Sequence, residues 1–240
     1  MRKTYFISAV VAASALVAVG GAALAAGGGF GSPGTYKFHD ISAAAGLTDS
    51  TGTQLFISVD RGMQTFKVRG VNGPPTMVGP ETVLTYTSFN PDGSFAFGCF
   101  VIPDSSFVVG ASLATATLKV DPSVEQPCPG VPVPSSAGGR PGLSNVSPEA
   151  GGGGGGGGDT PITANLIWTS NGAVWSYSFV NSSKCQNAVV HTTGSSQNTS
   201  GTVSGSVSVL ADLSTVYSSV GESDNTNVIN GTFSNACIGI

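Results

Sequence analysis

Apolar and polar residues alternate with a period of two over residues 53–120 and again over 161–233, the mark of strands that bury one face. Leu55, Ile57 and Val59 alternate with Phe56 and Ser58, and Asp60-Arg61-Gly62 reads as a turn into a strand over 64–69. Residues 71–80 form a Gly/Pro loop. The strands over 82–89 and 94–102 flank Asn90-Pro91-Asp92-Gly93, where proline presets φ and glycine supplies a positive one. The second of these is apolar on both faces, as a central strand would be. A clean alternation follows over 113–120, with Ala114, Ala116, Leu118 and Val120 inward.

In the second half, Ile162, Ala164, Leu166 and Trp168 alternate up to Ser170-Asn171-Gly172, a strong hairpin signal. The predicted return strand sets Trp175, Tyr177 and Phe179 against Ser176 and Ser178, with Trp168 and Leu166 as cross-strand partners. Short strands over 184–193, 202–211, 215–220 and 227–233 are separated by a polar loop over 194–200 and an Asx-rich turn over 222–227. The stretch 36–47, with Ser42-Ala43-Ala44-Ala45-Gly46, is the one candidate for a helical turn. About ten short strands with turns between them predict an all-β fold, an antiparallel β-sandwich of Ig-like or jelly-roll-like two-sheet architecture.

Periodicity fails over 121–160, which begins proline-rich and ends in the glycines 151–158. The expectation is a single domain over 36–240 interrupted by a long disordered loop at 121–160. Two small β domains, 36–121 and 161–240, are the alternative. At the start, Arg2 and Lys3 precede an apolar run that ends in Ala23-Leu24-Ala25, the pattern of a signal peptide over 1–25. A flexible Gly-rich leader over 26–35 would follow. The alternative is an uncleaved N-terminal anchor, since the apolar stretch is long enough to span a bilayer; after cleavage no membrane span remains.

Composition narrows the partners. Only 9% of residues are charged and the net charge is −4, against roughly a quarter charged in ordinary domains. Without a basic cluster there is nothing to displace counterions from nucleic acid or to bind an anionic bilayer. The four cysteines, Cys99, Cys128, Cys185 and Cys237, show no Cys-x-x-Cys spacing, so two disulfides are expected rather than a metal site. Of three possible pairings, Cys99–Cys128 and Cys185–Cys237 keep each bond within one half of the chain.

Catalytic constellations are thin. His39 and His191 are the two histidines. His39-Asp40 could serve a Ser-His-Asp arrangement, yet no Gly-x-Ser-x-Gly elbow occurs. Glu81, Glu125, Glu149 and Glu222 suggest no carboxylate pair for glycoside hydrolysis. The oxygens of Glu222, Asp224, Asn225 and Asn227 lack the spacing of a calcium loop, and no metal or cofactor is expected. The chain therefore reads as a secreted or cell-envelope protein that is not an enzyme and acts through its surface as a binding or interaction protein; the sequence selects no specific partner, a glycan or cell-surface component being the candidate. A carbohydrate-binding module, with Trp168, Trp175 and Tyr177 as its aromatic face, is one alternative, against a core role for the same rings. A secreted hydrolase is the other.

Overall fold

The computed structural model describes residues 33–128, 160–185 and 187–232. It contains ten strands: β1 (Gly34–Thr48), β2 (Gln54–Val68), β3 (Thr76–Phe89), β4 (Phe95–Ile102), β5 (Phe107–Val109), β6 (Thr115–Val120), β7 (Gln126–Pro127), β8 (Ala164–Cys185), β9 (Asn187–Val207) and β10 (Ser214–Thr232). All pair antiparallel in one sheet of order β5-β6-β8-β9-β10-β1-β2-β3-β4-β7. The all-β antiparallel expectation holds. The hydrogen bonding, however, joins the strands in one curled sheet, a half-barrel, rather than in the two sheets of a sandwich.

The curl follows from the connections. β4 and β5 lie near opposite ends of the strand order, yet only the 3-10 turn Asp104–Ser106 and its flanks separate Ile102 from Phe107. A link that short spans at most about 17 Å, so the two ends of the sheet meet. Arg61 Nη1 donates across the closure to the carbonyls of Asp104 and Phe107 (3.4 and 3.0 Å), and Thr82 Oγ1 donates to Asp104 Oδ1 at 2.7 Å. Inside the curl lies the main core, with Ala43, Ala45, Leu47, Leu55, Val59, Leu84, Phe100, Phe107, Leu118, Leu166, Trp168 and Val220 from nearly every strand. The ladders β1–β10 and β6–β8 interleave the two halves of the sequence.

Five predicted breaks are not breaks. The Asp60-Arg61-Gly62 turn lies within β2, the helical stretch 36–47 within β1, Asn171-Gly172 within β8, the 194–200 loop within β9 and the 222–227 turn within β10. The 71–80 loop does separate β2 from β3, but its end, from Thr76 on, belongs to β3. Strands of 22, 21 and 19 residues result for β8, β9 and β10, against a usual length of about 5–6. Most of these segments are polar because they run beyond the main core; in β1, β2, β9 and β10 paired neighbours on both sides satisfy their backbones, and in β8 pairing with β9 alone carries the strand past Asn171-Gly172.

Beyond the half-barrel the long strands bury the other face of the sheet. β1 and β2 pair without slippage from Gly34↔Val68 to Thr48↔Gln54, so alternation is unbroken. Odd-numbered Ile41, Ala43, Ala45 and Leu47 enter the main core, whereas even-numbered Tyr36 joins Ala188, Val190 and Ile229 in a second cluster, flanked by Phe38 and Phe66. Residues of opposite parity on one regular strand point to opposite faces. The described residues thus form a curled half-barrel continued by a flap of long strands.

Cys99 and Cys128 form a disulfide that ties β4 to the chain just after β7. Cys185 ends β8, and its expected partner Cys237 lies outside the described residues. The signal peptide over 1–25, most of the 26–35 leader and residues 129–159 of the Pro/Gly stretch also lie outside them. Within the leader, Gly34 already opens β1. At the start of the Pro/Gly stretch, Asp121 caps a 3-10 turn and β7 pairs with β4.

Candidate functional site

The sequence proposed three aromatic side chains for one face, and the sheet divides them. Trp168 is 1% exposed and donates its indole N–H to the carbonyl of Ala44 at 3.1 Å. It is core. Trp175 is 70% and Tyr177 60% exposed. They lie on the opposite face because Asn171-Gly172 does not reverse the chain. Residues 171–173 bulge outward instead, three against the single Ser200 of β9, and β8 carries on. The turn chemistry is all present: Gly172 has a φ of 88°, its N–H donates to Ser170 Oγ, and Ala173 N–H donates to Asn171 Oδ1. Asn171 Nδ2 then donates to Ser200 Oγ at 3.1 Å, holding the bulge against β9. The local signal was correct; pairing with β9 on both sides of it decided the outcome.

With Phe179, which sequence reasoning did not single out as a site residue, Trp175 and Tyr177 form an aromatic ladder along β8. The Tyr177 and Phe179 rings stack with centroids 6.3 Å apart. Register places a row of small and polar residues beside the ladder. Trp175, Tyr177 and Phe179 pair with Asn198, Ser196 and Gly194 of β9. These pair in turn with Gly221, Ser223 and Asn225 of β10, then Ser42, Asp40 and Phe38 of β1, and Asp60, Gly62 and Gln64 of β2. At 4.7–4.9 Å per strand this surface is about 19 Å wide from β8 to β2. Gly194 is needed where it stands: a Cβ there would lie 2.5 Å from Phe179 Cζ and would also strike Asn225 Oδ1. The glycine lets the Phe179 ring lie down across β9 toward Asn225. Asn225 Oδ1 is buried and accepts no hydrogen bond among the described residues.

Two carboxylates stand at the far side of the surface. Asp40 and Asp60 are diagonal neighbours on β1 and β2, since Asp40 pairs with Gly62 and Ser42 with Asp60. Burial raises the pKa of Asp60 to about 6, helped by the charge of Asp40, and Ser58 Oγ, donating to Asp60 Oδ2 at 2.9 Å, opposes the shift. Burial also raises Asp40, against the pull of His39. The sequence reading had set Asp40 in a possible triad and Asp60 in a turn. The one signal that would have paired them is strand continuity through Gly62.

The other candidate groups do not assemble. His39 Nδ1 lies 3.0 Å from Asp224 Oδ1 and 3.9 Å from Glu222 Oε1, but no serine completes a triad there among the described residues. His191 Nδ1 lies 2.7 Å from Ser182 Oγ, without a carboxylate among its described partners. The ligand atoms of His39, Glu222 and Asp224 fall within 4.8 Å of one another, on the face opposite the aromatic ladder. Within β10 the side-chain oxygens of the 222–227 run do not share a face, because Glu222 and Asp224 point to one side and Asn225 and Asn227 to the other.

No protein-family model and no curated protein matches the chain. Among solved structures, it is similar to a crystal structure of a Nitrosomonas europaea protein assigned as an AttH, at 8% identity and a TM-score of 0.29. That alignment covers 80% of this chain and 51% of the other, so the chain spans about half the length of the protein it is aligned with.

Proposed function

We propose that this chain is an extracytoplasmic binding protein that holds a glycan against the outer face of its flap, through Trp175, Tyr177 and Phe179. The observation that carries the reading is the exposure of Trp175 and Tyr177 beside paired polar side chains. An aromatic ring has an apolar face, and two such rings left in water forgo a large burial gain. A sugar ring offers the matching combination: a face of C–H groups to lie on the aromatic ring and a rim of hydroxyls. Asn198, Ser196, Ser223 and the carboxylates of Asp40 and Asp60 supply acceptors, and donors from the amide and hydroxyls, for that rim. The small residues between them, Gly221 and Gly62, keep the surface low enough for a flat ligand. A disulfide, the N-terminal signal pattern and the absence of any long apolar helix among the described residues accord with an extracytoplasmic site. A hydrolytic role has less support, because neither histidine meets both a serine and an acid among the described residues.

The two tryptophans make the test direct. Titration of the mature protein with a panel of soluble oligosaccharides should change the emission of exposed Trp175 and leave buried Trp168 as an internal reference. Trp175→Ala should weaken binding at least tenfold, about 1.4 kcal/mol, with unchanged circular dichroism. Binding that persists undiminished in that variant would remove the ladder from the site.

A further inference from the structure

We propose that the outer edge of β8 pairs, antiparallel, with the same edge of a second copy of this chain. β8 is joined to β9 from Ala164 to Cys185 except at the 171–173 bulge, but among the described residues the strand on its other side, β6, covers only Ala164–Thr169. Every residue from Asn171 to Lys184 is exposed, which leaves about 40 Å of strand with one row of backbone donors and acceptors open to solvent among the described residues. A long, bare strand edge is a template for another strand, and monomeric proteins suppress it with proline, charge or short length. Among the described residues the other edges are short, covered or interrupted: on β4, beyond β7, the carbonyls of Phe97 and Cys99 accept from the N–H groups of Thr160 and Cys128. β5 and β7 are three and two residues long. The part of β3 that overhangs β4, residues 76–81, contains Pro80, which has no N–H, and Gly79 at a φ of 94°. The β8 overhang has no proline, and its single charge, Lys184, stands at its end.

That asymmetry selects the partner. Adding copies head to tail would need a second open edge, and the β3 edge is blunted, so the contact that remains is β8 on β8, which closes about a two-fold axis. In antiparallel pairing, residues directly opposite point to the same face, so registers that keep the faces matched pair residues of equal parity. Full overlap of the overhangs then centres the axis on Tyr177 or Ser178. The first centre sets Trp175 opposite Phe179 of the second copy, and the second sets Tyr177 opposite Phe179. Either way ladder meets ladder on one face; on the other, serine meets serine and valine meets valine with the axis on Tyr177, and serine meets valine beside the axis with it on Ser178. No pair of like charges faces across the axis.

The proposal does not depend on glycan binding, which uses the face of the ladder rather than the edge. Sedimentation equilibrium or light scattering of the mature protein should give a dimer. Ser178→Lys sets lysines side by side at the axis and should give a monomer with unchanged circular dichroism, as should Val180→Lys at a side chain that is 82% exposed. Mixing Ser178→Lys with Ser178→Glu should restore the dimer. A monomeric wild type, a dimer indifferent to both lysines, or growth into open-ended assemblies would each overturn the pairing.

Discussion

Asp60 carries the most displaced charge of the flap, and its chemistry can be tested without knowing any ligand. Its folded pKa of about 6 lies above the ordinary 3.8, so between those values the folded chain holds a proton that the unfolded chain has released. Stability then falls as pH rises through that window, because the unfolded state binds fewer protons. Above it, the fold carries an ionised, partly desolvated carboxylate beside Asp40. Asp60→Asn removes the charge and keeps an oxygen to accept from Ser58. The variant should be more stable than wild type at pH 7–8 by about 1–2 kcal/mol, with the gain shrinking to nothing as pH falls through 4. Urea unfolding at several pH values measures it, and a gain that is flat with pH would place its origin elsewhere. Stability withheld at such a surface accords with a site shaped for something other than folding.

The strands show how far alternation reaches as a signal. It assigned Trp175, Tyr177 and Phe179 to one face correctly, since that follows from three residues spaced by two. It put Trp168 with them only because Asn171-Gly172 was taken to reverse the chain. Whether an Asn-Gly pair becomes a hairpin or a bulge depends on what lies beside it, and β9, about thirty residues later, is not visible locally. The same holds for the polar runs in β9 and β10: serine and asparagine read as loop when each segment is weighed alone, and as strand once both neighbours are paired. Glycines inside these strands divide accordingly. Gly205, at a φ of 120°, would drive a Cβ into the backbone oxygen of Asn165, which cannot move without breaking the ladder. At Gly194 the obstacles are the Phe179 ring and the Asn225 side chain, which can turn away. Gly205→Ala should therefore cost about 1–3 kcal/mol in chemical denaturation. Gly194→Ala should cost less and should instead alter the near-ultraviolet dichroism of the stacked Tyr177–Phe179 pair. Equal losses of stability would show that both positions are governed by the same constraint.

For the molecule as a whole, alternation revealed the all-β class, and an even cysteine count with two in each half pointed to the Cys99–Cys128 bond, but nothing local pointed to the curl. Closure depends on a short link between strands at opposite ends of the sheet and on Arg61 reaching across it, and neither has a local pattern. The consequence is a shared core: residues from 41 to 120 and from 162 to 220 pack together, so neither half has a complete interior of its own. The disulfide closes a segment of 29 residues within the first half and should stabilise by about 3.5 kcal/mol through the unfolded chain. Replacing both Cys99 and Cys128 with alanine should lower the melting temperature and leave one transition, because losing a constraint on the unfolded state does not divide the core. Scanning calorimetry decides between this and two small domains, 36–121 and 161–240. A calorimetric enthalpy equal to the van't Hoff enthalpy, in wild type and variant alike, is the expected result. Two resolved transitions in the variant would mean that the halves fold separately and that the β1–β10 and β6–β8 ladders are contacts between them.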